Sequence, residues 1–165
     1  SNVTGSTRSD LNIGDLVLIS DHINFLPESP LRGPNADEFG PRFPDFSKVY
    51  DEELRQLALE TGRQMGMKLK QGVYFCMAGP NLETPAEYQM IHRLGGDVVG
   101  MSTLPEVIVA KHAGLRICVL SLVVNKCFPL EEIQETTVET VLAVTQKKSP
   151  NMHKLVAALI EKSKF

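Results

Sequence analysis

A nearly continuous apolar run from Arg116 to Val124 constrains the fold of this chain more than any other feature. The run is far too short to span a bilayer, which requires about 20 apolar residues in a helix. Uninterrupted apolar runs of this length are typical of strands that are covered on both faces of a sheet. The run therefore predicts a central β-strand in a layered fold.

Strand-like and helical patterns alternate along the rest of the chain, which is typical of the α/β class. Shorter strands are predicted at 15–20, 72–78 and 97–101, and helices at 50–65, 84–95, 103–114, about 130–146, and from 149 onward. Thr84-Pro-Ala-Glu87 is a capping box with proline at the first helical position, and Thr103-Leu-Pro-Glu106 has the same spacing. The sequence therefore predicts an α/β fold with a mixed central β-sheet flanked by helices.

A polar, proline-rich segment from Asp21 to Phe46 interrupts this alternation. Its five prolines exclude a helix and disfavour a regular strand. The segment also carries several large apolar side chains, namely Phe25, Leu26, Leu31, Phe39, Phe43 and Phe46. Long loops in compact domains are usually functional or interfacial. We therefore expect this segment to be ordered and to pack against a neighbouring subunit.

Composition excludes several classes of function. Lys plus Arg number 17 against 20 Asp plus Glu, so the chain lacks the basic surface of a nucleic-acid-binding protein. We expect no membrane partner, and because residues 1–6 lack the charged and apolar regions of a secretion signal, we expect a cytoplasmic protein. The three cysteines (76, 118 and 127) are predicted to be buried thiols, and the four histidines to be structural or at the surface. No residue spacing indicates a metal site.

Polar side chains follow three of the predicted strands. Glu83 follows the strand at 72–78, Ser102 and Thr103 follow the strand at 97–101, and Asn125 follows the long apolar run. Ligands bind at the carboxyl ends of strands in α/β sheets, and the start of a helix favours an anion such as phosphate. Each residue also has a structural interpretation: Ser102 or Thr103 as a helix cap, Glu83 as a complement to the helix dipole, and Asn125 as a turn residue.

Five segments of the chain together resemble the trimeric purine nucleoside phosphorylases. They are Gly14–Asn24, Pro30–Asn35, Ala78–Thr84, Val99–Ala110 and Ser121–Lys126. The resemblance covers residues 1–165 in the family's order and implies that they form the C-terminal portion of a single phosphorylase domain. The family's front portion holds a phosphate loop, a phosphate-binding histidine and arginine, and a ribose-side tyrosine, none of which has a counterpart in these 165 residues.

The resemblance implies a site for a purine nucleoside and inorganic phosphate. By the part of the substrate that they would contact, the residues are Glu83, Asn125, Lys126 and Leu82 for the purine base, Tyr74, Met101 and Val138 for the ribose, and Ser102 and the backbone at Val3 for phosphate. Phe25 is the candidate for the aromatic side chain that reaches into a neighbouring subunit's site. Val138 stands where relatives have a histidine, Leu82 where many have a phenylalanine, and Asn2–Ser6 matches their phosphate turn only in part.

The implied reaction is phosphorolysis of inosine- or guanosine-type ribonucleosides to the free base and ribose 1-phosphate. Asn125 and Glu83 would carry catalysis, phosphate would be a co-substrate, no cofactor would be needed, and the enzyme would be a homotrimer. Two alternatives remain open. A methylthioadenosine phosphorylase has the same fold, and the apolar Val138 would suit a methylthio group. The chain would otherwise be an inactive fragment or binding module that lacks the phosphate site.

Overall fold

The computed structural model describes residues 1–163, which form five strands and four helices. In chain order they are β1 (Asn2–Ser6), β2 (Leu16–Asn24), α1 (Glu52–Gln64), β3 (Lys70–Cys76), α2 (Pro85–Arg93), β4 (Val98–Gly100), α3 (Leu104–His112), β5 (Leu120–Lys126) and α4 (Val138–Lys162). A 3₁₀ turn at Leu130–Glu132 lies between β5 and α4. None of the helices within residues 1–163 is both long and apolar enough to cross a membrane.

The five strands close into a barrel in the order β1-β4-β3-β2-β5. β3 is parallel to both β2 and β4, and β1 is parallel to β5, whereas the β1–β4 and β2–β5 pairs are antiparallel. The predicted α/β fold with a mixed sheet is therefore confirmed. Closure was not predicted, because it depends on β1 pairing with β4 on one side and β5 on the other.

β5 is covered on both faces, as its apolar run predicts. Leu120, Leu122 and Val124 pack in a cluster with side chains of α1 and α4, whereas Val123 packs in a second cluster with side chains of α3. Successive side chains of a strand point to opposite faces of the sheet. Both faces of β5 are therefore apolar, and its sequence shows no alternation.

α4 is one helix, so the two helices predicted on either side of Ser149-Pro150 are a wrong prediction. Proline in a helix interior removes a hydrogen bond and costs about 3 kcal/mol relative to alanine. The helix continues through Pro150 because Val144 before the proline and Met152 and Leu155 after it pack in the same cluster. Burial of these side chains offsets the local cost.

Other predicted boundaries also need correction. The helix predicted from Leu130 begins at Val138, where the Thr137 side chain caps it by accepting from the Thr140 N–H. β2 runs past Ser20 to Asn24, because β3 supplies pairing partners as far as Cys76. β5 begins at Leu120 rather than at residue 116, and β1 was not predicted as a strand.

The proline-rich segment contains no helix or strand between residues 25 and 51, which confirms that most of it is a loop. Hydrogen bonds hold it in place: Arg42 Nη1 donates to the Leu31 carbonyl over 2.7 Å, and Asn35 Oδ1 lies 3.1 Å from His112 Nε2. Phe43 is 88% exposed and Phe39 is 64% exposed. The loop is therefore ordered against its own chain, with Phe39 and Phe43 facing outward and Phe46 packed against the core.

Candidate active site

A cavity of about 310 Å³ opens over the adjacent strands β5, β1 and β4. Its volume lies at the lower end of the range of ligand pockets, which runs from about 300 to 1,000 Å³. Six residues that the sequence assigned to the site line it, namely Val3, Leu82, Glu83, Met101, Ser102 and Asn125. The structure therefore brings base, ribose and phosphate candidates from four separate parts of the chain to one cavity.

Seven further residues that line the cavity could not be identified from the sequence. They are Thr4, Gly5, Val99, Gly100, Val124, Thr136 and Val141. Val141 lies on the buried face of α4, so helical periodicity predicts its burial but not that it faces a ligand cavity. Thr136 follows no pattern that would have identified it. Thr4 lies on β1, and its buried Oγ1 has no hydrogen-bond partner among the described residues.

Two neighbouring residues, Cys127 and Gly5, constrain the side chain of Asn125. Its Nδ2 donates to Cys127 Sγ over 3.1 Å, which leaves its second N–H and its carbonyl oxygen for a ligand. A Cβ atom at Gly5 would lie 3.2 Å from Asn125 Oδ1 and 2.6 Å from Cys127 Sγ. Asn125 therefore requires a glycine at position 5, which no local pattern in the sequence indicates.

Glu83 immediately precedes α2, and the start of that helix fixes its backbone. The predicted capping box is confirmed: Thr84 Oγ1 accepts from the Glu87 N–H at 3.3 Å, and Glu87 Oε2 accepts from the Thr84 N–H at 2.7 Å. Burial raises the pKa of the Glu83 carboxyl, and the negative charge of Glu87 acts in the same direction. The Tyr88 hydroxyl and the backbone oppose this rise by donating hydrogen bonds to the ionised form.

Ser102 lies just beyond β4, where Tyr74 holds its backbone. The Tyr74 hydroxyl donates to the Ser102 carbonyl over 3.1 Å, and the Ser102 N–H donates back over 3.3 Å. The second predicted capping box is wrong, since Thr103 has a φ of 76° and makes no side-chain cap bond. Its Oγ1 instead accepts from Asn2 Nδ2 over 2.6 Å, which ties the start of α3 to the start of β1.

Four predicted site residues lie outside the cavity. Tyr74 is fully buried beneath Gly100 and Ser102, so it supports the cavity floor rather than lining it. Val138 is 69% exposed on the first turn of α4, where Val141 lines the cavity instead. Lys126 does not line the cavity and forms an ion pair with Glu132 at 2.5 Å. Phe25 packs against Phe75 in a tilted arrangement, with ring centroids 4.7 Å apart.

The site has no cationic lining. None of the residues that line the cavity is a lysine, arginine or histidine. In residues 1–163 no group of three or more histidine, cysteine, aspartate or glutamate side chains is arranged to hold a metal ion. Three histidines make structural contacts instead, such as His92 Nδ1 with the Thr7 carbonyl at 2.9 Å. Cys76 and Cys127 are buried thiols as predicted, whereas Cys118 is only half-buried.

The family model of the phosphorylase superfamily matches residues 1–161. The chain belongs to this superfamily. Among related superfamily members, purine nucleoside phosphorylase 1 of Bacillus subtilis is 41% identical over 160 residues, which are 97% of this chain and 59% of that protein. Crystal structures of the Schistosoma mansoni purine nucleoside phosphorylase are 38% identical to this chain and cover 99% of it. The complex with adenosine has a TM-score of 0.92 and the complex with inosine a TM-score of 0.91. This superfamily member spans about three fifths of the length of these relatives.

Proposed function

We propose that this chain supplies the purine-binding part of a purine nucleoside phosphorylase, which converts a 6-oxopurine ribonucleoside and phosphate to the free base and ribose 1-phosphate. One observation carries the proposal: Glu83 and Asn125, 42 positions apart in sequence, line one cavity together with Met101 and Ser102. The named relatives support the reaction class.

Hydrogen-bond complementarity favours a 6-oxopurine in this cavity. Hypoxanthine and guanine present a donor at N1 and acceptors at O6 and N7, whereas adenine presents an acceptor at N1 and a donor at its 6-amino group. An ionised Glu83 is acceptor-only, so it matches the N1–H of a 6-oxopurine and repels the N1 lone pair of adenine. The free N–H of Asn125 can donate to N7.

The same contacts would lower the barrier to phosphorolysis. As the glycosidic bond breaks, negative charge develops on the purine and positive charge on the ribose. A donor from Asn125 at N7 stabilises the departing base, and Glu83 holds it in place. Phosphate attacks the ribose, so its positioning contributes much of the remaining rate enhancement. Ser102 and the backbone at Val3 are the phosphate contacts we propose, with inorganic phosphate as co-substrate and no cofactor.

We propose that residues 1–165 by themselves bind a base but do not turn over nucleosides. The described cavity offers phosphate a hydroxyl and backbone groups but no cationic side chain. Lys126, which adjoins Asn125 in sequence, is paired with Glu132. Without a cationic partner the negative charge of phosphate is not compensated in the cavity, and the bidentate contacts by which an arginine fixes the orientation of a phosphate are missing there. An inactive fragment or binding module therefore stays an alternative for the isolated chain.

The methylthioadenosine phosphorylase alternative loses the residue on which it depended. Val138 is exposed and does not line the cavity, so it makes no apolar surface for a methylthio group there. We further propose that the complete enzyme is a cytoplasmic homotrimer, with Phe25 in the contact between subunits. The exposure of Phe25, Phe39 and Phe43 in the proline-rich segment supports this assembly.

Base binding by the 165-residue chain tests the proposal. We expect hypoxanthine to bind more tightly than adenine in titration calorimetry. Glu83→Gln should weaken hypoxanthine binding by roughly tenfold or more, since a hydrogen bond to a charged group contributes about 1.5–3 kcal/mol. Asn125→Asp should move the ratio of the two dissociation constants toward adenine by roughly tenfold, at a pH where the aspartate is ionised.

Glu28→Gln is the matched control, because Glu28 lies in the exposed loop and pairs with Arg32. It should leave both dissociation constants unchanged. Equal effects of Glu28→Gln and Glu83→Gln would contradict the assignment of Glu83 to the base. An unchanged ratio in Asn125→Asp would mean that Asn125 does not face the base.

A further inference from the structure

One buried side chain adjoins a residue proposed to bind the base. Cys127, just after β5, is 1% exposed. It lies in one apolar cluster with Phe75, Ile91 and Val99. It does not line the cavity, and the reaction proposed above does not use it.

Cys127 contacts Asn125 directly. Its Sγ accepts the hydrogen bond from Asn125 Nδ2 at 3.1 Å, and its own N–H donates to the Ser6 carbonyl over 2.8 Å. Burial raises the pKa of the Cys127 thiol to about 12, so the thiol stays protonated at neutral pH. Gly5 closes the other side of the sulfur atom, where a Cβ atom would lie only 2.6 Å away. The sulfur atom therefore has a fixed position beside the Asn125 amide.

We propose that Cys127 is a positioning residue for the base: its thiol fixes the plane of the Asn125 amide by accepting a hydrogen bond from Nδ2. The inference rests on the proposed function for its consequence, which is that a residue that does not touch the base influences the choice between 6-oxopurines and adenine.

The role of Cys127 is tested on the side-chain amide of Asn125. In ¹⁵N spectra the Nδ2 proton that bonds residue 127 should be shifted away from its position in a free asparagine side chain in the wild-type chain, in Cys127→Ser and in the control Cys118→Ala. In Cys127→Ala this shift should be lost, and the preference for hypoxanthine over adenine should fall roughly two- to tenfold. The same shift in Cys127→Ala as in Cys127→Ser would overturn the role of the thiol.

These measurements separate the two proposals. If the wild-type chain binds neither hypoxanthine nor adenine, the proposed function of the cavity fails, while the amide spectra of the unliganded chain still decide the positioning role of Cys127. If the base binds and the spectra do not respond to Cys127→Ala, the function stands and the positioning proposal fails.

Discussion

Gly5 carries no side chain, and the Asn125 amide and the Cys127 thiol occupy the space that one would take. The same principle applies at Gly100, where a Cβ atom would lie 2.4 Å from the Tyr74 hydroxyl oxygen. At the scale of single residues, glycines therefore determine the shape of the cavity as much as polar side chains do. Glycine permits the close approach of neighbouring atoms that any Cβ would prevent.

Gly5→Ala tests this view of the cavity. The added methyl group must displace Cys127 or Asn125, so we expect hypoxanthine binding to weaken roughly tenfold while the chain stays folded. Gly96→Ala is a matched control, since its Cβ atom would lie 2.7 Å from Ile91 Cγ2. Calorimetry and thermal unfolding should show lower stability in both variants and weaker binding only in Gly5→Ala. Unchanged binding in Gly5→Ala would contradict the close packing at Asn125.

Helix ends illustrate the element scale. Asp51 caps the start of α1: its carboxylate accepts from the Leu54 N–H at 2.8 Å and pairs with Arg116 Nε at 2.7 Å. The Asp51 N–H also donates to the Ile117 carbonyl over 2.8 Å. The cap therefore fastens α1 to the segment that leads into β5. Hydrogen bonds from Arg116 lower the pKa of the Asp51 carboxyl to about 2.

Asp51→Ala should lower the free energy of unfolding by about 1–2 kcal/mol, as for other lost N-caps. Because the folded state lowers the pKa of Asp51, its ionised carboxylate contributes fully to the free energy of unfolding above about pH 4. This contribution decreases as the pH falls toward 2. Urea unfolding of the wild-type chain and of Asp51→Ala between pH 3 and 7 measures the difference. Glu53→Gln removes another partner of Arg116 but leaves the cap, and should cost less. A difference independent of pH would contradict the ionised cap.

The whole molecule presents its proline-rich segment as a candidate surface for assembly. Phe39 and Phe43 are large apolar side chains exposed on a loop whose backbone is otherwise held by hydrogen bonds. Exposed aromatic side chains on an ordered loop are typical of protein interfaces. The homotrimer proposed above would bury them.

We expect the chain to sediment as a trimer at concentrations of tens of micromolar, and Phe43→Asp to shift it toward the monomer. The charged side chain would be desolvated at the interface without a partner, which costs several kcal/mol. Leu94→Asp, at another exposed apolar position at the end of α2, should leave the sedimentation coefficient unchanged. A monomer in the wild-type chain, or an equal shift in both variants, would contradict assembly through this loop.

Activity also belongs to the scale of the whole molecule. A mass-verified 165-residue chain should show negligible phosphorolysis of inosine, since no cationic side chain lines the described cavity to bind phosphate. Release of hypoxanthine, followed by a coupled absorbance assay at saturating phosphate, is the measurement. Full turnover by this chain would overturn the prediction.

The sequence by itself determined the features that depend on neighbouring residues. The capping box at Thr84, the two-faced β5 and the polar ends of the strands follow from local hydrogen bonding and from the period of apolar side chains. Resemblance to known sequences identified six of the cavity residues, including Glu83 and Asn125.

Only the tertiary structure decided the features that depend on distant partners. β1 has little strand propensity and forms because β4 and β5 lie on either side of it. α4 continues through Pro150 because both halves of the helix pack in one cluster. The Tyr74 hydroxyl is bonded to the Ser102 backbone, so Tyr74 does not line the cavity. In each case the free energy comes from burial or pairing between residues far apart in the chain, which no local pattern reports.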